Sequence, residues 1–212
     1  MFLPGVTVTT ATTPRNPEAT RRRILAAALA EFASKGISGA RVDRIAVRSK
    51  TNKRMLYHYF GSKDGLYRAV LNQRLTDRKP VAMEAGDAGS RLGAIFDRLT
   101  TSGDFLRLQM WEALERGARG RIENEEARRS TMRGRVDAVR ASQAERRIAA
   151  DFDAEMYVIA ELALTTYPLA FPQVIRLLTG EGPDQPEFRA RYKQFLESLG
   201  TRLGPLAADG SG

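Results

Sequence analysis

The segment 39–63, GARVDRIAVRSKTNKRMLYHYFGSK, limits what this chain can fold into more than any other stretch. Val42, Ile45 and Ala46 stand at i, i+3 and i+4, so they line one face of a short helix ending near Arg48. Residues 49–52 are small and polar, the composition of a turn, and the apolar face resumes at Met55, Leu56, Tyr59 and Phe60. Two short helices joined this tightly form a helix-turn-helix, whose second helix fits the major groove of B-DNA. The outward side of that second helix carries Asn52, Lys53, Arg54, Tyr57 and His58, which offer donors to bases and phosphates.

The flanking sequence supports the unit. A first helix begins with Asn16 as N-cap, Pro17 in its first position and Glu18 in its first turn; Gly36 stops it. Ile24, Leu25, Ala28, Leu29 and Phe32 form its stripe. Arg21, Arg22 and Arg23 near its start read either as a solvated face or as phosphate contacts. A fourth helix starts from Ser62 as N-cap, buries Leu66, Tyr67, Val70 and Leu71, and ends before Pro80.

Charge separates the two parts of the chain. Residues 1–80 hold 16 Lys and Arg against 5 Asp and Glu, whereas residues 81–212 hold 18 against 20. The excess of positive charge therefore belongs to the N-terminal part, as a nucleic-acid-binding module on a neutral partner would require. The chain has no cysteine, which excludes disulfides and thiolate metal sites and is compatible with a reducing interior. No apolar stretch approaches the ~20 residues of a membrane span, and the start lacks the charged and apolar regions of a secretory signal. A cytoplasmic protein without a membrane partner is expected. Residues 1–14 read as a disordered arm and 205–212 as a disordered tail.

Residues 80–90 break the helical pattern and mark the expected boundary between domains spanning 15–79 and 80–204. Amphipathic helices follow at about 91–101, 104–116 and 122–149, then an apolar one at 151–167 that Pro168 and Pro172 kink or split. A last helix starts near Pro186, with Phe188, Tyr192, Phe195 and Leu199 spaced 4, 3 and 4. Nothing alternates with period two, so the fold class is all-α.

Catalytic and cofactor signatures are missing. His58 is the only histidine, which leaves no His cluster for a metal and no triad outside the second short helix. No P-loop or dinucleotide fingerprint occurs, and neither a cofactor nor a metal is expected. Glu123, Glu125 and Glu126 stand beside Arg121, Arg128 and Arg129, a pattern of ion pairing on a helix surface.

At LYHYFGSKDGLYRAVL, with RVDRIA and RRRILAAALAEFASKG upstream, the sequence resembles the TetR family of bacterial transcriptional regulators; the match is specific over about residues 15–75. The stretches EALERG, FPQVIRLLTG and PEFRARYKQFLESL resemble the family more loosely. The resemblance implies a three-helix DNA-binding domain on a larger helical domain that holds an effector pocket and a dimer interface. It also implies that the protein is a repressor, a homodimer released from a palindromic operator by a small molecule.

By position, the resemblance makes Tyr57 and Lys63 phosphate contacts and places Lys53, Arg54 and Met55 against bases. Asn52 either caps the recognition helix or reads a base, and Tyr57 is either a DNA contact or core. Where the family has Ala-Gly-Val in the turn, this chain has Ser49, Lys50 and Thr51. Lys50 must accept a positive φ or force another turn. Ala40 and Arg41 stand where the family has a Thr or Ser cap, and Arg41 and Lys50 add to the basic surface. The implied pocket draws on Phe96, Leu99, Met110, Trp111, Leu114 and Tyr157, Trp111 being core otherwise. The implied interface uses Ile159, Ala163 and Tyr167 with Phe188, Tyr192, Phe195 and Leu199, unless these faces pack within one subunit. Two further readings stand beside the regulator: a small helical enzyme using carboxylates and arginines, and a relative that has lost DNA binding.

Overall fold

The computed structural model describes residues 16–77, 88–117, 119–120 and 122–202. The expected arm and tail, residues 80–87 of the expected boundary, and Arg121 lie outside them. The described residues form ten helices and no strand: α1 (Pro17–Gly39), α2 (Val42–Arg48), α3 (Lys53–Phe60), α4 (Lys63–Asp77), α5 (Ala88–Thr101), α6 (Gly103–Arg116), α7 (Glu125–Ala144), α8 (Ala154–Ala170), α9 (Pro172–Thr179) and α10 (Pro186–Arg202). None is long and apolar enough by itself to cross a membrane.

Local signals set the first four helices. Asn16 Oδ1 accepts from Ala19 N at 3.1 Å, and Ser62 Oγ accepts from Gly65 N at 2.9 Å, so both expected N-caps form. The stripe of α1 is buried along its length and meets Ile45 and Ala46 of α2, Leu56 of α3, and Leu66, Tyr67, Val70 and Leu71 of α4. Phe32 and Tyr67 meet edge to face at 5.3 Å. Phe105 and Leu108 of α6 complete this core, so the N-terminal helices share their apolar interior with the sixth helix. Gly36 does not end α1 outright: the chain turns there at φ 71° and makes one more helical turn to Gly39.

The remaining helices make two further cores. Leu92 and Phe96 of α5 pack with Ile175, Phe188 and Leu196, while Val139, Ile148, Ala154, Tyr157 and Val158 join the α7–α8 side. The α5–α10 contact is so close at Gly89 and Gly200 that a Cβ on Gly200 would lie 2.2 Å from Gly89 Cα. Glu161 of α8 is buried and pairs with Arg91 of α5, with Arg135 of α7 on its other side.

The bounds of two helices differ from expectation. Residues 88–90 already belong to α5, and α7 begins only at Glu125 and ends at Ala144, short of 122–149 at both ends. Glu123 accordingly is buried and pairs with Arg116 at 3.1 Å, instead of lying on a helix surface; Glu125 with Arg129 does follow the i, i+4 pattern. The chain breaks at Phe171, bending α8 against α9 by 82°. Pro168 stays inside α8. Proline has no N–H to offer the carbonyl four residues back. Here that carbonyl, Leu164, accepts from Tyr192 Oη at 2.8 Å instead.

Candidate nucleic-acid interface and the cleft behind it

Two hydrogen bonds to Glu31 fix the start of α2 on α1. Arg41, at the N-cap of α2, makes no side-chain cap bond, as expected. Glu31 of α1 takes over: its Oε1 accepts from Arg41 N at 3.1 Å and from Arg44 Nε at 2.7 Å. Burial by itself raises the Glu31 pKa. The hydrogen bonds from Arg44 and the Arg41 backbone, with the charges of Arg44 and Arg48, outweigh it and leave the carboxyl below its ordinary range.

The turn closes without glycine. Lys50 adopts φ 54°, and Lys50 N donates to Val47 O at 3.1 Å while Thr51 N donates to Ala46 O at 2.9 Å. These are the two bonds of a Schellman C-cap, with lysine in the left-handed position. Buried Ser49 braces it, its Oγ donating to Ala46 O at 3.1 Å.

Asn52 caps α3, accepting from Met55 N at 2.8 Å, which commits its Oδ1 to the helix. Arg41, Lys50, Lys53, Arg54, Tyr57 and His58 are all exposed; Met55 is half-buried. Tyr57 is 42% exposed, while Leu56 beneath it is buried and Tyr59 and Phe60 pack on the core. Asp43 of α2 holds Lys53 Nζ at 3.1 Å, so one cation of the face has an acidic neighbour. Arg21, exposed like Arg22 and Arg23, lies over the Phe60 ring at 5.7 Å. Lys63 Nζ donates to Ser38 O and Ala40 O, both at 3.2 Å, tying α4 to the end of α1. Two of its three N–H groups are thereby used.

α6 grips the same end of α1 from behind. Ser38 N and Oγ donate to Glu115 at 3.1 and 3.0 Å, and Ala33 O accepts from Arg107 Nε at 3.1 Å and Trp111 Nε1 at 3.2 Å. A Cβ on Gly36 would lie 2.9 Å from the Trp111 ring, so α6 approaches as it does because residue 36 is glycine. Nothing in the sequence pairs residues 77 positions apart, and Glu31, Arg107 and Glu115 carry no local signal of their contacts.

Behind this contact lies a cleft of about 510 Å³, within the usual range for small-molecule sites. Leu99, Met110, Trp111 and Leu114 line it, together with Leu106, Arg107, Leu169, Gln173, Asp184 and Arg189. The other two residues expected there lie elsewhere. Phe96 is wholly buried, its ring 5.1 Å from Tyr192. Tyr157 lines a separate cavity of about 250 Å³ with Leu92, Met156 and Glu161. Burial, reinforced by Glu161, pushes the Tyr157 hydroxyl up to about 12.

The seven residues of the expected interface divide in the same way. Ile159, Ala163, Tyr167 and Phe195 are exposed, and Met156 and Phe171 add to their apolar surface. Phe188 and Tyr192 turn into their own subunit, stacked on one another at 5.5 Å, and Leu199 is half-buried. No group of three His, Cys, Asp or Glu capable of holding a metal ion occurs among the described residues.

Residues 24–70 match the bacterial regulatory proteins of the tetR family, and residues 87–200 match the tetracyclin repressor-like C-terminal domain. The HTH-type transcriptional repressor SCO4008 of Streptomyces coelicolor is 34% identical over 169 residues, 79% of this chain and 88% of its own. The HTH-type transcriptional repressor NicS of Pseudomonas putida is 46% identical over 52 residues, 24% of each chain. The crystal structure of a transcriptional regulator from Streptomyces coelicolor, SCO4942, superposes with a TM-score of 0.69 at 27% identity, covering 88% of this chain and 98% of that one. A basic helix-turn-helix braced by α1 and α4, on a helical body matched along its length, makes this chain a member of the TetR family and a DNA-binding transcriptional regulator.

Proposed function

We propose that the protein is a repressor that binds a pseudo-palindromic operator as a homodimer and leaves it when a small molecule enters the α6 cleft. The observation that carries this reading is the exposed, basic outer face of α3, joined to α2 by the closed turn at Lys50, with α2 held to α1 by Glu31 and α4 tied to the end of α1 by Lys63. Lys53, Arg54 and Met55 face base edges, and an Arg or Lys there favours guanine O6 and N7. Arg41, Lys50, Tyr57, His58 and the remaining Lys63 N–H serve phosphates. Asn52 supports the helix as its cap.

Release is a population shift: the ligand favours a form in which two recognition helices no longer match two half-sites. No described side chain of α4 lines the cleft, whereas α6 both walls it and holds α1 at Ala33 and Ser38, so the signal enters through α6. Exposed Met156, Ile159, Ala163, Tyr167 and Phe195 form the subunit contact, which sets half-site centres about 34–36 Å apart or a near multiple.

Selection of binding sites from random DNA, followed by footprinting, tests this. An inverted repeat protected symmetrically is the expected result, with Arg54→Ala losing about 1–3 kcal/mol on that site and relaxing preference at one base position. Equal affinity for every sequence, or an asymmetric single-site footprint, would defeat the reading.

A further inference from the structure

We propose that the ligand of the α6 cleft is a monoanion, an acid with a flat or extended apolar body, whose carboxylate is taken by Arg107 and Arg189. This rests on the reading of the cleft as the effector site. Most of the lining is apolar: Leu99, Leu106, Met110, Leu114, Leu169 and the Trp111 ring. Its charged groups are Arg107, Arg189 and Asp184. Two cations against one anion leave an excess of one positive charge, which one carboxylate neutralises and a dianion would overshoot.

The guanidinium groups are already positioned. Arg107 Nε donates to Ala33 O at 3.1 Å and Arg189 Nε donates to Pro183 O at 3.0 Å. Each is thus anchored through one nitrogen, and neither meets a carboxylate among the described residues, so the Nη groups are available for a charge-assisted contact. A cation of this kind beside apolar walls favours an acid over its neutral amide.

The same atoms connect ligand chemistry to release. Arg107 and Trp111, both in the cleft wall, donate to one atom, the Ala33 carbonyl of α1. A carboxylate that draws the Arg107 guanidinium into the cleft competes with that bond. Occupancy by an acid therefore loosens the attachment of the DNA-binding helices to α6, whereas an isosteric neutral molecule fills the cleft and leaves the bond in place.

Trp111 is the only tryptophan and stands in the cleft wall, so its fluorescence reports on that wall and its contact with α1. Full-length protein is titrated with phenylbutyrate, phenylbutyramide and phenylbutylamine. The acid should bind at least about tenfold more tightly than the amide. Arg107→Met, which keeps the apolar stem, should erase that preference and leave amide affinity within about twofold; Arg189→Met should reduce it. Acid and amide binding equally, or the amine binding tightest, would overturn the anion assignment and leave the cleft as the effector site. No change in Trp111 emission with any of the three would overturn both. An unchanged acid preference in both arginine variants would overturn the assignment of these two residues.

Discussion

Lys50→Gly should stabilise the protein, against the general rule that replacing a side chain by hydrogen destabilises. Lys50 occupies φ 54° at the left-handed position of a Schellman cap. A residue with a Cβ is disfavoured there by about 1–2 kcal/mol, and glycine is not. Glycine carries more entropy into the unfolded chain, an opposing effect of about 0.5–1 kcal/mol. Lys50 is exposed, and the cap bonds to Val47 O and Ala46 O use backbone atoms only, so no other contact is lost. The net gain is about 0.5–1 kcal/mol, or roughly 1–4 °C in Tm for a chain of this size. Calorimetry on the wild type, Lys50→Gly and Lys50→Ala separates strain from charge. Alanine removes the same charge but keeps the Cβ, and should stay within about 0.5 kcal/mol of wild type. A glycine variant no more stable than the alanine variant would refute the claim that this turn stores strain.

Other outcomes follow from single contacts. Glu31→Gln should destabilise by about 1–3 kcal/mol, a value moderated by the exposure of Arg44. The folded Glu31 carboxyl sits below its ordinary 4.5, so its contribution is present above that pH and fades as pH falls beneath it; the wild-type and mutant unfolding curves should converge in acid. Tyr192→Phe leaves the Leu164 carbonyl without a donor and should cost about 1–3 kcal/mol. With Pro168→Ala, which returns a helical N–H to that carbonyl, urea unfolding should find the cost largely gone; an additive double mutant would exclude the link. Phe195→Glu puts a charge on an exposed side chain, so sedimentation should find folded monomers, and a persistent dimer would locate the interface elsewhere.

The N-terminal helices were legible because their determinants are local. Asn16 and Ser62 cap within three residues, the apolar stripes follow the helical period, and the misfit of Lys50 shows in any turn that wants glycine. What could not be read depends on how helices are rotated against each other. Glu31 looks like a polar residue in an apolar stripe until α2 is docked, and Glu115 meets Ser38 only once α6 lies along α1. The regular spacing of Phe188, Tyr192, Phe195 and Leu199 defines a face but not its orientation. The buried line of α10 passes through Phe188 and Leu196, so Phe195, one residue off, points outward while Tyr192 is drawn in to serve Leu164. Phe96 and Tyr157 left the expected pocket for the same reason. The ends of α7 are not legible because its few large apolar residues give the period little definition.

The central claim, that the outer face of α3 and its basic flanks bind DNA, is tested most directly by the salt dependence of affinity. Fluorescence anisotropy on the selected site, between about 50 and 200 mM salt, should give a steep linear fall of log K, as counterion release at several phosphates per half-site requires. Lys50→Ala and Lys63→Ala, each checked for folding, should each reduce the slope by about 1 per half-site on any sequence, and Arg54→Ala should lower affinity for the selected site far more than for random DNA. Affinity that does not change with salt, or slopes untouched by these substitutions, would contradict the account.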